Sequence, residues 1–327
     1  MGSRKLPKLP QLLERKIYKT GQTRGADDDE IYQNRVGRNS TILIPFSQFN
    51  KFLDDNIYKM KFENGYIVLL SPIDYFNNDI IKILKTNELA LGKNLLLFYE
   101  TREQWNAYNP FTKKLKPAQS RKNPLGGEFV ARIPATTAIE SGAKIVYAFN
   151  ETKIKGAGIR AYEYASTEMI QKTRLQLESI FWHCKDSLST VIEYGMTSKN
   201  AQERKEHILQ IANTENLLDY NRLSSARILN KNQVTICPLC LEEISGKGFF
   251  TRLKQAEGRE IVDLTVTNLN LFHIEELRFG NFNHIIYNLG WGHHHCNIVT
   301  KDSGINDTLI WMNNIITKNV ENGYITF

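Results

Sequence analysis

The chain has 327 residues and a mass of 37.7 kDa, which is enough for two or three ordinary domains or one large one. Hydrophobic residues make up 41% of the chain and aromatic residues 10%, so the composition excludes global disorder and allows a packed core. A formal net charge of +7 and a pI of about 9.0 indicate an anionic partner without identifying it.

Targeting signals and cysteine usage narrow the cellular context. No stretch approaches the roughly 18–20 uninterrupted apolar residues that a membrane span needs, and no apolar segment of signal-peptide length follows the N-terminus. Four cysteines exclude a disulfide scaffold and are typical of a reducing compartment. We therefore expect a cytoplasmic protein without a membrane segment.

The N-terminal residues have an uneven charge distribution. Residues 1–24 are basic, with Glu14 as their one acid, and Asp27 to Glu30 then reverse the sign. This pattern predicts a mobile or loosely docked arm over residues 1–30, which either follows a phosphate backbone or is a solvated tail.

Residues 31–165 read as a β-rich domain. Short segments rich in Val, Ile, Tyr and Phe alternate with Gly, Pro, Asn and Asp, which is typical of strands and turns. The predicted strands are Thr41–Phe46, Tyr66–Leu70, Asn94–Tyr99, Glu128–Ile133, Ala143–Phe149 and Ile159–Tyr164, with a helix around Asp79–Thr86.

One segment of this domain is a candidate for DNA contact. No acidic residue occurs between Glu103 and Glu128, and aromatic residues that include Trp105 and Tyr108 precede a basic run. Basic residues interleaved with aromatics suit phosphate and base contacts, although an exposed loop of solvated lysines has the same pattern. The candidate DNA-binding residues are Lys113, Lys114, Lys116, Arg121 and Lys122.

Residues 166–230 change to a helical pattern. Apolar residues from Ile170 to Ile192 recur at helix-compatible spacing, and shorter helices are predicted over Ala201–Ala212 and Thr214–Leu229. We expect a helical linker that bridges the β-rich domain and the C-terminal segment, or that forms a dimer surface. Within it, His183 and Cys184 are expected to be packing residues.

The C-terminal segment, residues 231–327, concentrates residues that bind metals. It holds three of the four cysteines and five of the seven histidines. Cys237 and Cys240 form a CxxC pair, and His293 and Cys296 form an HxxC pair, so four ligands can close a tetrahedral shell around one structural Zn²⁺. His294 and His295 adjoin the second pair, but only His293 reproduces the two-residue gap.

Three further residues stand at characteristic distances from these ligand pairs. Val262–Leu271 alternates like a strand and leads to His273; Asn288 precedes the first ligand of the second pair by five residues, and Asn297 directly follows the last ligand. This arrangement resembles the HNH branch of the ββα-metal nuclease family, and the resemblance covers about residues 234–315. It implies that His273 is the general base, that Asn297 binds a catalytic divalent ion, most simply Mg²⁺, and that Asn288 braces the loop and holds His273 in place.

One position departs from the family pattern. Many HNH nucleases have Asp immediately before the catalytic His, as a second metal ligand, whereas this chain has Phe272. Either Asn297 holds the ion with waters and phosphate, or another carboxylate replaces the Asp. The candidates are Glu275, Asp263 and Asp302. His284, His294 and His295 are further candidates for contact with phosphate or the leaving group.

The expected fold class is α+β: a β-rich N-terminal DNA-recognition domain, a helical linker and a C-terminal zinc-bound ββα-metal (HNH) nuclease module. The resemblance implies a sequence-specific double-stranded DNA endonuclease of the restriction type. Two alternatives stay open: a methylation-dependent HNH endonuclease, whose base pocket Trp105 and Tyr108 would line, and a zinc-stabilised DNA-binding protein without catalysis. Cutting both strands with one active site per chain favours a homodimer.

Overall fold

The computed structural model describes residues 6–18, 37–54, 62–118, 124–131, 133, 158–253, 267–278, 281–301 and 303–326. The chain divides into two compact units. One, here called the hairpin unit, comprises Met1–Thr20, Thr167–Arg278 and Asn283–Phe327; the other, the sheet unit, comprises Gly21–Ser166 and Phe279–Phe282. Among the described helices, none is both long enough and apolar enough to cross a bilayer.

Helices and strands alternate in the first half of the chain, and helices dominate the second. The helices are α1 (Gln11–Tyr18), α2 (Phe49–Asp54), α3 (Pro72–Tyr75), α4 (Asn78–Thr86), α5 (Arg102–Ala107), α6 (Thr167–Trp182), α7 (Ser187–Glu193), α8 (Ser198–Thr214), α9 (Tyr220–Ser225), α10 (His294–Thr300) and α11 (Gly304–Glu321). The strands are β1 (Ile42–Pro45), β2 (Tyr66–Leu70), β3 (Leu95–Tyr99), β4 (Phe129–Ala131), β5 (Ile159–Arg160), β6 (Leu269–His273) and β7 (Leu289–His293).

The sheet unit is built on a five-stranded parallel sheet with the strand order β4-β3-β2-β1-β5. Its register pairs Ile42 with both Tyr66 and Ile159, Val68 with Leu95, and Leu97 with Phe129. Apolar clusters cover both faces of the sheet, because β1, β2 and β3 are nearly continuous apolar runs, as buried parallel strands require.

The predicted strands agree with this sheet except at the end of the domain. The first four each contain an observed strand, and α4 matches the predicted helix. The sixth predicted strand, Ile159–Tyr164, is a strand only over Ile159–Arg160, because Ala161–Glu163 forms a 3-10 helix. Ala143–Phe149 lies outside the described residues. The unit is therefore a mixed α/β arrangement, since α2 to α5 connect the strands along the chain and the strands are parallel. The sequence predicted the strands but not their direction.

The hairpin unit packs around α6. Leu177, Ile180 and Phe181 are fully buried in a core shared with α8 and with β6 and β7. The indole Nε1 of Trp291 donates to the Leu177 carbonyl at 2.9 Å. The helices of residues 166–230, predicted as a separate linker, thus share one core with the C-terminal strands, because every residue of α6 from Gln176 to Trp182 is buried.

The N-terminal segment differs from the predicted loose arm. In α1, Leu13 and Ile17 recur four residues apart and are buried in the core of the hairpin unit. Arg204 donates from Nη1 to the carbonyl of Pro7 at 2.5 Å and forms a bidentate ion pair with Glu178, at 2.6 and 2.9 Å. Described residues before Tyr18 are therefore docked by apolar burial and by a buried charge pair.

Candidate functional site

Four predicted ligands meet in one cluster. The donor atoms of Cys237, Cys240, His293 and Cys296 all lie within 4.8 Å of one another, and among the described residues this is the one such group of His, Cys, Asp or Glu side chains. Nδ1 of His293 lies 3.3 Å from Sγ of Cys240. We call this group the Cys3His cluster.

Local backbone structure positions the two ligand pairs. Cys237 and Cys240 sit in a tight turn that Leu241 closes, since its N–H donates to the Cys237 carbonyl at 2.9 Å and its φ is 63°. His293 ends β7, and Cys296 lies in the first turn of α10. One short turn and one strand-to-helix junction therefore supply all four donors.

The chemistry of the donors fits a structural zinc ion. A tetrahedral ion with Zn–S bonds of about 2.3 Å separates its donors by roughly 3–4 Å, compatible with this spacing. Burial acts to raise the pKa of Cys237, but hydrogen bonds with His293 and with backbone N–H groups lower that pKa to about 6. Burial and neighbouring thiols raise the pKa of Cys296 to about 12. Four protein donors would complete the coordination shell of a bound zinc ion and would leave no open position for a substrate.

The three consecutive histidines have different surroundings. His293 joins the cluster, while Nδ1 of His294 accepts from Nδ2 of Asn270 at 2.6 Å. His295 is exposed. His293, which was predicted as the ligand from the two-residue gap to Cys296, is therefore the histidine of the three that lies with the cysteines.

His273 ends β6, as predicted, and is half-buried. Its Nε2 lies 3.3 Å from Nδ1 of His284, a fully buried residue. This contact directs Nε2 of His273 towards His284. When Nε2 of His273 carries the proton and donates to His284, Nδ1 is the nitrogen of His273 with the lone pair.

Asn288 is buried and holds the loop that follows β6. Its Oδ1 accepts from the N–H of Glu275 at 2.7 Å, and its Nδ2 donates to the carbonyls of Glu275 at 3.1 Å and Asn283 at 2.7 Å. The side chain thereby joins the two ends of the loop between the strands. Asn297, the third predicted site residue, is half-buried on α10 directly after Cys296.

The position before His273 is structural in this chain. Phe272 is fully buried, and its ring lies over Gly292, where an added Cβ would be 2.5 Å from Cδ2 of the ring. Phe272 is thus a core residue whose packing requires glycine across the hairpin. Of the proposed replacement carboxylates, Glu275 is exposed at the start of the loop, whereas Asp263 and Asp302 lie outside the described residues.

Two polar residues near the cluster were missed by sequence reasoning. Nζ of Lys16 donates to the carbonyl of Leu269 at 2.6 Å and to Oδ1 of Asn270 at 3.3 Å, so the Asn270 amide nitrogen points to His294. The sequence signal was a lone polar residue inside β6, whose other residues before His273 are apolar. Lys16 carried no signal, because its partner is more than 250 positions away.

The basic segment of the sheet unit is partly described. Lys113, Lys114 and Lys116 are exposed, and Nζ of Lys113 lies 4.9 Å from the centre of the Phe76 ring. Arg121 and Lys122 lie outside the described residues. The lysines are therefore available to solvent.

Trp105, one of the two residues suggested for a base pocket, lies in the core of the sheet unit. It is 4% exposed and packs edge-on against Tyr99 and Phe129. Tyr108 stacks on Phe76 at 5.3 Å between ring centres. The indole of Trp105 thus fills the core of the sheet unit, which does not support its place in the alternative base pocket.

Comparison with known proteins identifies one family. The model of the BstXI restriction endonuclease family matches residues 15–294. The match includes Cys237, Cys240, His273, Asn288 and His293, and it ends before Cys296 and Asn297. No curated protein and no solved structure matches the chain significantly.

Proposed function

Because the chain belongs to the BstXI restriction endonuclease family, we propose that its hairpin unit cleaves double-stranded DNA by the chemistry of HNH nucleases. Membership of the family indicates a sequence-specific DNA endonuclease. The finer proposal concerns the catalytic residues: His273 as general base, Asn288 as positioning residue, and Asn297 as a ligand of one divalent metal ion.

The hydrogen bonds between Asn288 and the loop after His273 are the observation that carries this proposal. The side chain of Asn288 makes three hydrogen bonds, two to Glu275 at the start of the loop and one to Asn283 within it. Such a clamp fixes the direction in which β6 presents His273. A base must stay within hydrogen-bond reach of the water that it deprotonates, so fixed presentation supports catalysis.

The chain's own groups divide the work of phosphodiester hydrolysis. His273 takes the proton of the attacking water, because an imidazole titrates close to neutral pH. His284 holds the His273 ring at 3.3 Å, and the Cys3His cluster fixes β7 and α10 with respect to each other. A divalent ion such as Mg²⁺, when bound, would offset charge on the phosphate and on the leaving oxygen.

Asn297 is the proposed protein ligand of that ion. Its amide oxygen is a hard donor of the kind that Mg²⁺ prefers, and its place beside Cys296 on α10 makes its position depend on the Cys3His cluster. Since Phe272 is buried in the core, the residue before His273 takes no part in metal binding. The remaining positions would then belong to water and phosphate.

DNA recognition is assigned to the sheet unit. The exposed Lys113, Lys114 and Lys116, with Arg121 and Lys122, form the proposed phosphate-contacting segment. Phosphate contacts position a protein on the duplex, and base contacts specify the sequence.

Plasmid cleavage tests the proposal. Purified zinc-loaded protein should linearise or nick plasmid DNA with Mg²⁺ and not with EDTA, and parallel reactions on methylated and unmethylated DNA would reveal any dependence on base modification. The His273→Ala variant should lose about 10²–10⁴ in cleavage rate while it still binds DNA. His207→Ala, an exposed histidine on α8, is the matched control and should cleave normally. Full activity of His273→Ala would reject the assignment.

A further inference from the structure

Lys16 on α1 lies against the start of β6, although Leu269 follows it by 253 positions in the sequence. Its Nζ donates to the Leu269 carbonyl at 2.6 Å and to Oδ1 of Asn270 at 3.3 Å. The Leu269 carbonyl also accepts from Oγ1 of Thr267 at 3.0 Å, so it has a partner without Lys16. A role in capping that carbonyl therefore leaves the contact with the Asn270 side chain unexplained.

The hydrogen bonds of Asn270 have a fixed direction. An ammonium group can only donate, so the Asn270 oxygen faces Lys16 and the amide nitrogen points to His294. Nδ2 of Asn270 then donates to Nδ1 of His294 at 2.6 Å. Because Nδ1 accepts this bond, the proton of the neutral imidazole lies on Nε2. Lys16 thus determines, through Asn270, which nitrogen of His294 is a donor.

Backbone structure places His294 beside the proposed metal ligand. His294 is the first residue of α10, and its N–H donates to the Asn268 carbonyl at 2.7 Å. Asn297 follows three residues later on the same helix. Residues at this spacing lie on the same side of a helix, with their Cβ atoms about 5–6 Å apart. His294 and Asn297 are therefore neighbours on α10.

The surroundings of His294 favour an anionic partner. The ring is half-buried, and Nε2 donates to none of the residues that the structure describes. In the same part of the chain, the groups whose charge acts on the ring are Lys16 and His295, both of which are basic. A hydrogen-bond donor in basic surroundings attracts a phosphate oxygen.

We propose that Nε2 of His294 donates to a phosphate oxygen of the bound DNA strand, beside the ion that Asn297 would hold, and that Lys16 and Asn270 are positioning residues for this donor. The inference rests on the proposed function, since it takes α10 to face DNA. It adds a contribution from α1, which lies outside the segment that resembles HNH nucleases. Lys16 and Asn270 act through His294 and do not touch the substrate.

Binding of a fluorescent DNA duplex to zinc-loaded full-length protein, without Mg²⁺ so that the duplex stays intact, tests the proposal. His294→Ala should weaken the affinity about 10- to 100-fold, the range for a hydrogen bond to a charged group. Lys16→Met should weaken it less, because the ring stays in place. The double variant should bind no more weakly than His294→Ala, since Lys16 acts through His294.

Two outcomes of this cycle would overturn the proposal. Unchanged affinity of His294→Ala would remove the phosphate contact. Additive losses in the double variant would show that Lys16 contacts DNA by itself and would remove its positioning role.

The neighbouring Arg15 provides the matched control. It is an exposed basic residue on α1, so Arg15→Met removes the same charge from the same helix and should keep the wild-type affinity. Lys16→Arg retains the donors and should bind DNA more tightly than Lys16→Met. Equal losses in Arg15→Met and Lys16→Met would attribute the effect to charge alone and overturn the hydrogen-bonded chain. Circular dichroism would verify that all variants fold.

Nitrogen NMR of isotope-labelled histidines in the zinc-loaded, DNA-free protein tests the direction of the hydrogen bonds. Signals that disappear in His294→Ala belong to His294. In the wild type its Nδ1 should carry the lone pair and its Nε2 the proton, and the Nδ1 signal should move in Lys16→Met and stay in place in Arg15→Met. A proton on Nδ1 in the wild type would overturn the proposed direction. Neither measurement uses cleavage, so these outcomes are distinct from a failure of the nuclease assignment, which the His273→Ala cleavage test decides.

Discussion

Asn288 binds both backbone polar groups of Glu275, two residues beyond His273. Its Oδ1 accepts from the Glu275 N–H at 2.7 Å, and its Nδ2 donates to the Glu275 carbonyl at 3.1 Å. This side chain, at the start of β7, therefore determines the path of the chain as it leaves β6. Asn288 directly precedes β7, and the five residues of β7 lead to His293 in the Cys3His cluster. The five-residue spacing between Asn288 and His293 is therefore the length of this strand.

Replacement of Asn288 by Ala should separate positioning from folding. Without the three hydrogen bonds, the loop after His273 can shift, and a shift of about 1 Å can cost about 10²-fold in rate. We expect a loss of about that size in the single-turnover cleavage rate, with the Cys3His cluster retaining its metal.

Asn281→Ala provides the control for this prediction, since Asn281 is an exposed asparagine in the same loop. It should cleave at the wild-type rate. Equal rates for Asn288→Ala and Asn281→Ala, with both proteins folded, would remove Asn288 from the site.

The Cys3His cluster should be required for the hairpin unit to fold. Cys240→Ser removes one donor, and since metal binding and folding free energy are linked, the variant should lose zinc and unfold at a lower temperature. Metal content by mass spectrometry and thermal unfolding by circular dichroism measure both effects.

Cys184→Ala is the matched substitution for this test. Cys184 is 5% exposed and lies outside the cluster. It should retain about one zinc per chain. A Cys240→Ser protein with full zinc content and unchanged unfolding would contradict the ligand set.

The buried ion pair between Arg204 and Glu178 should be needed to hold the N-terminal segment. Arg204→Met leaves the Glu178 carboxylate buried and unpaired, which costs about 3–5 kcal/mol in comparable cases. The double variant Arg204→Met, Glu178→Leu should recover much of that loss. Urea unfolding measures all three proteins.

An exposed ion pair provides the comparison for this experiment. Lys172 and Glu168 lie one turn apart on α6 with their charges in solvent. Lys172→Met should change stability little. If Arg204→Met proved as stable as Lys172→Met, the bidentate pair would have no stabilising role.

The sequence predicted strands more reliably than their arrangement. β1, β2 and β3 were recognisable as apolar runs, and such nearly continuous runs are typical of parallel strands covered on both faces, but the runs do not encode the order of the strands in the sheet. The docking of α1 was hidden by its charges, since seven basic residues in the first 24 outweighed Leu13 and Ile17. The Cys3His cluster was predictable because its ligands occur as two short-spaced pairs. Contacts such as Lys16 to Asn270 depend on packing between distant segments, which spacing does not encode.

Alkaline pH should destabilise the sheet unit through Tyr99. Its hydroxyl donates to the Tyr108 carbonyl at 2.7 Å, and burial raises the pKa of Tyr99 above its usual 10.0. The folded state holds this proton more tightly than the unfolded state, so the stabilisation is complete below pH 10 and falls as pH rises above it.

At neutral pH the free energy of unfolding of Tyr99→Phe should be about 1 kcal/mol lower than that of the wild type, because the hydrogen bond is missing. Above about pH 10 the free energy of unfolding of this variant should fall less steeply than that of the wild type. Tyr324→Phe, at an 80% exposed position, should follow the wild type throughout. Urea unfolding of the three proteins at neutral and at alkaline pH measures these differences. If the stability of Tyr99→Phe and of the wild type fell in parallel, Tyr99 would not cause the alkaline loss of stability.

The exposed lysines of the sheet unit should determine the salt dependence of DNA binding. Replacement of Lys113, Lys114 and Lys116 by Ala should weaken binding and reduce the slope of log K against log salt by about 0.9 for each phosphate that is no longer neutralised. Cleavage of saturating DNA should change less than affinity, because these lysines position the protein and the chemistry is assigned to His273 and Asn297. Asn297→Ala should behave in the opposite way, with near-normal affinity and little cleavage.

Lys82, Lys85 and Lys93, also exposed in the sheet unit, form the control triple variant, which should keep the wild-type slope. Equal slopes for the two triple variants would show that Lys113–Lys116 is a surface loop and that DNA is bound elsewhere.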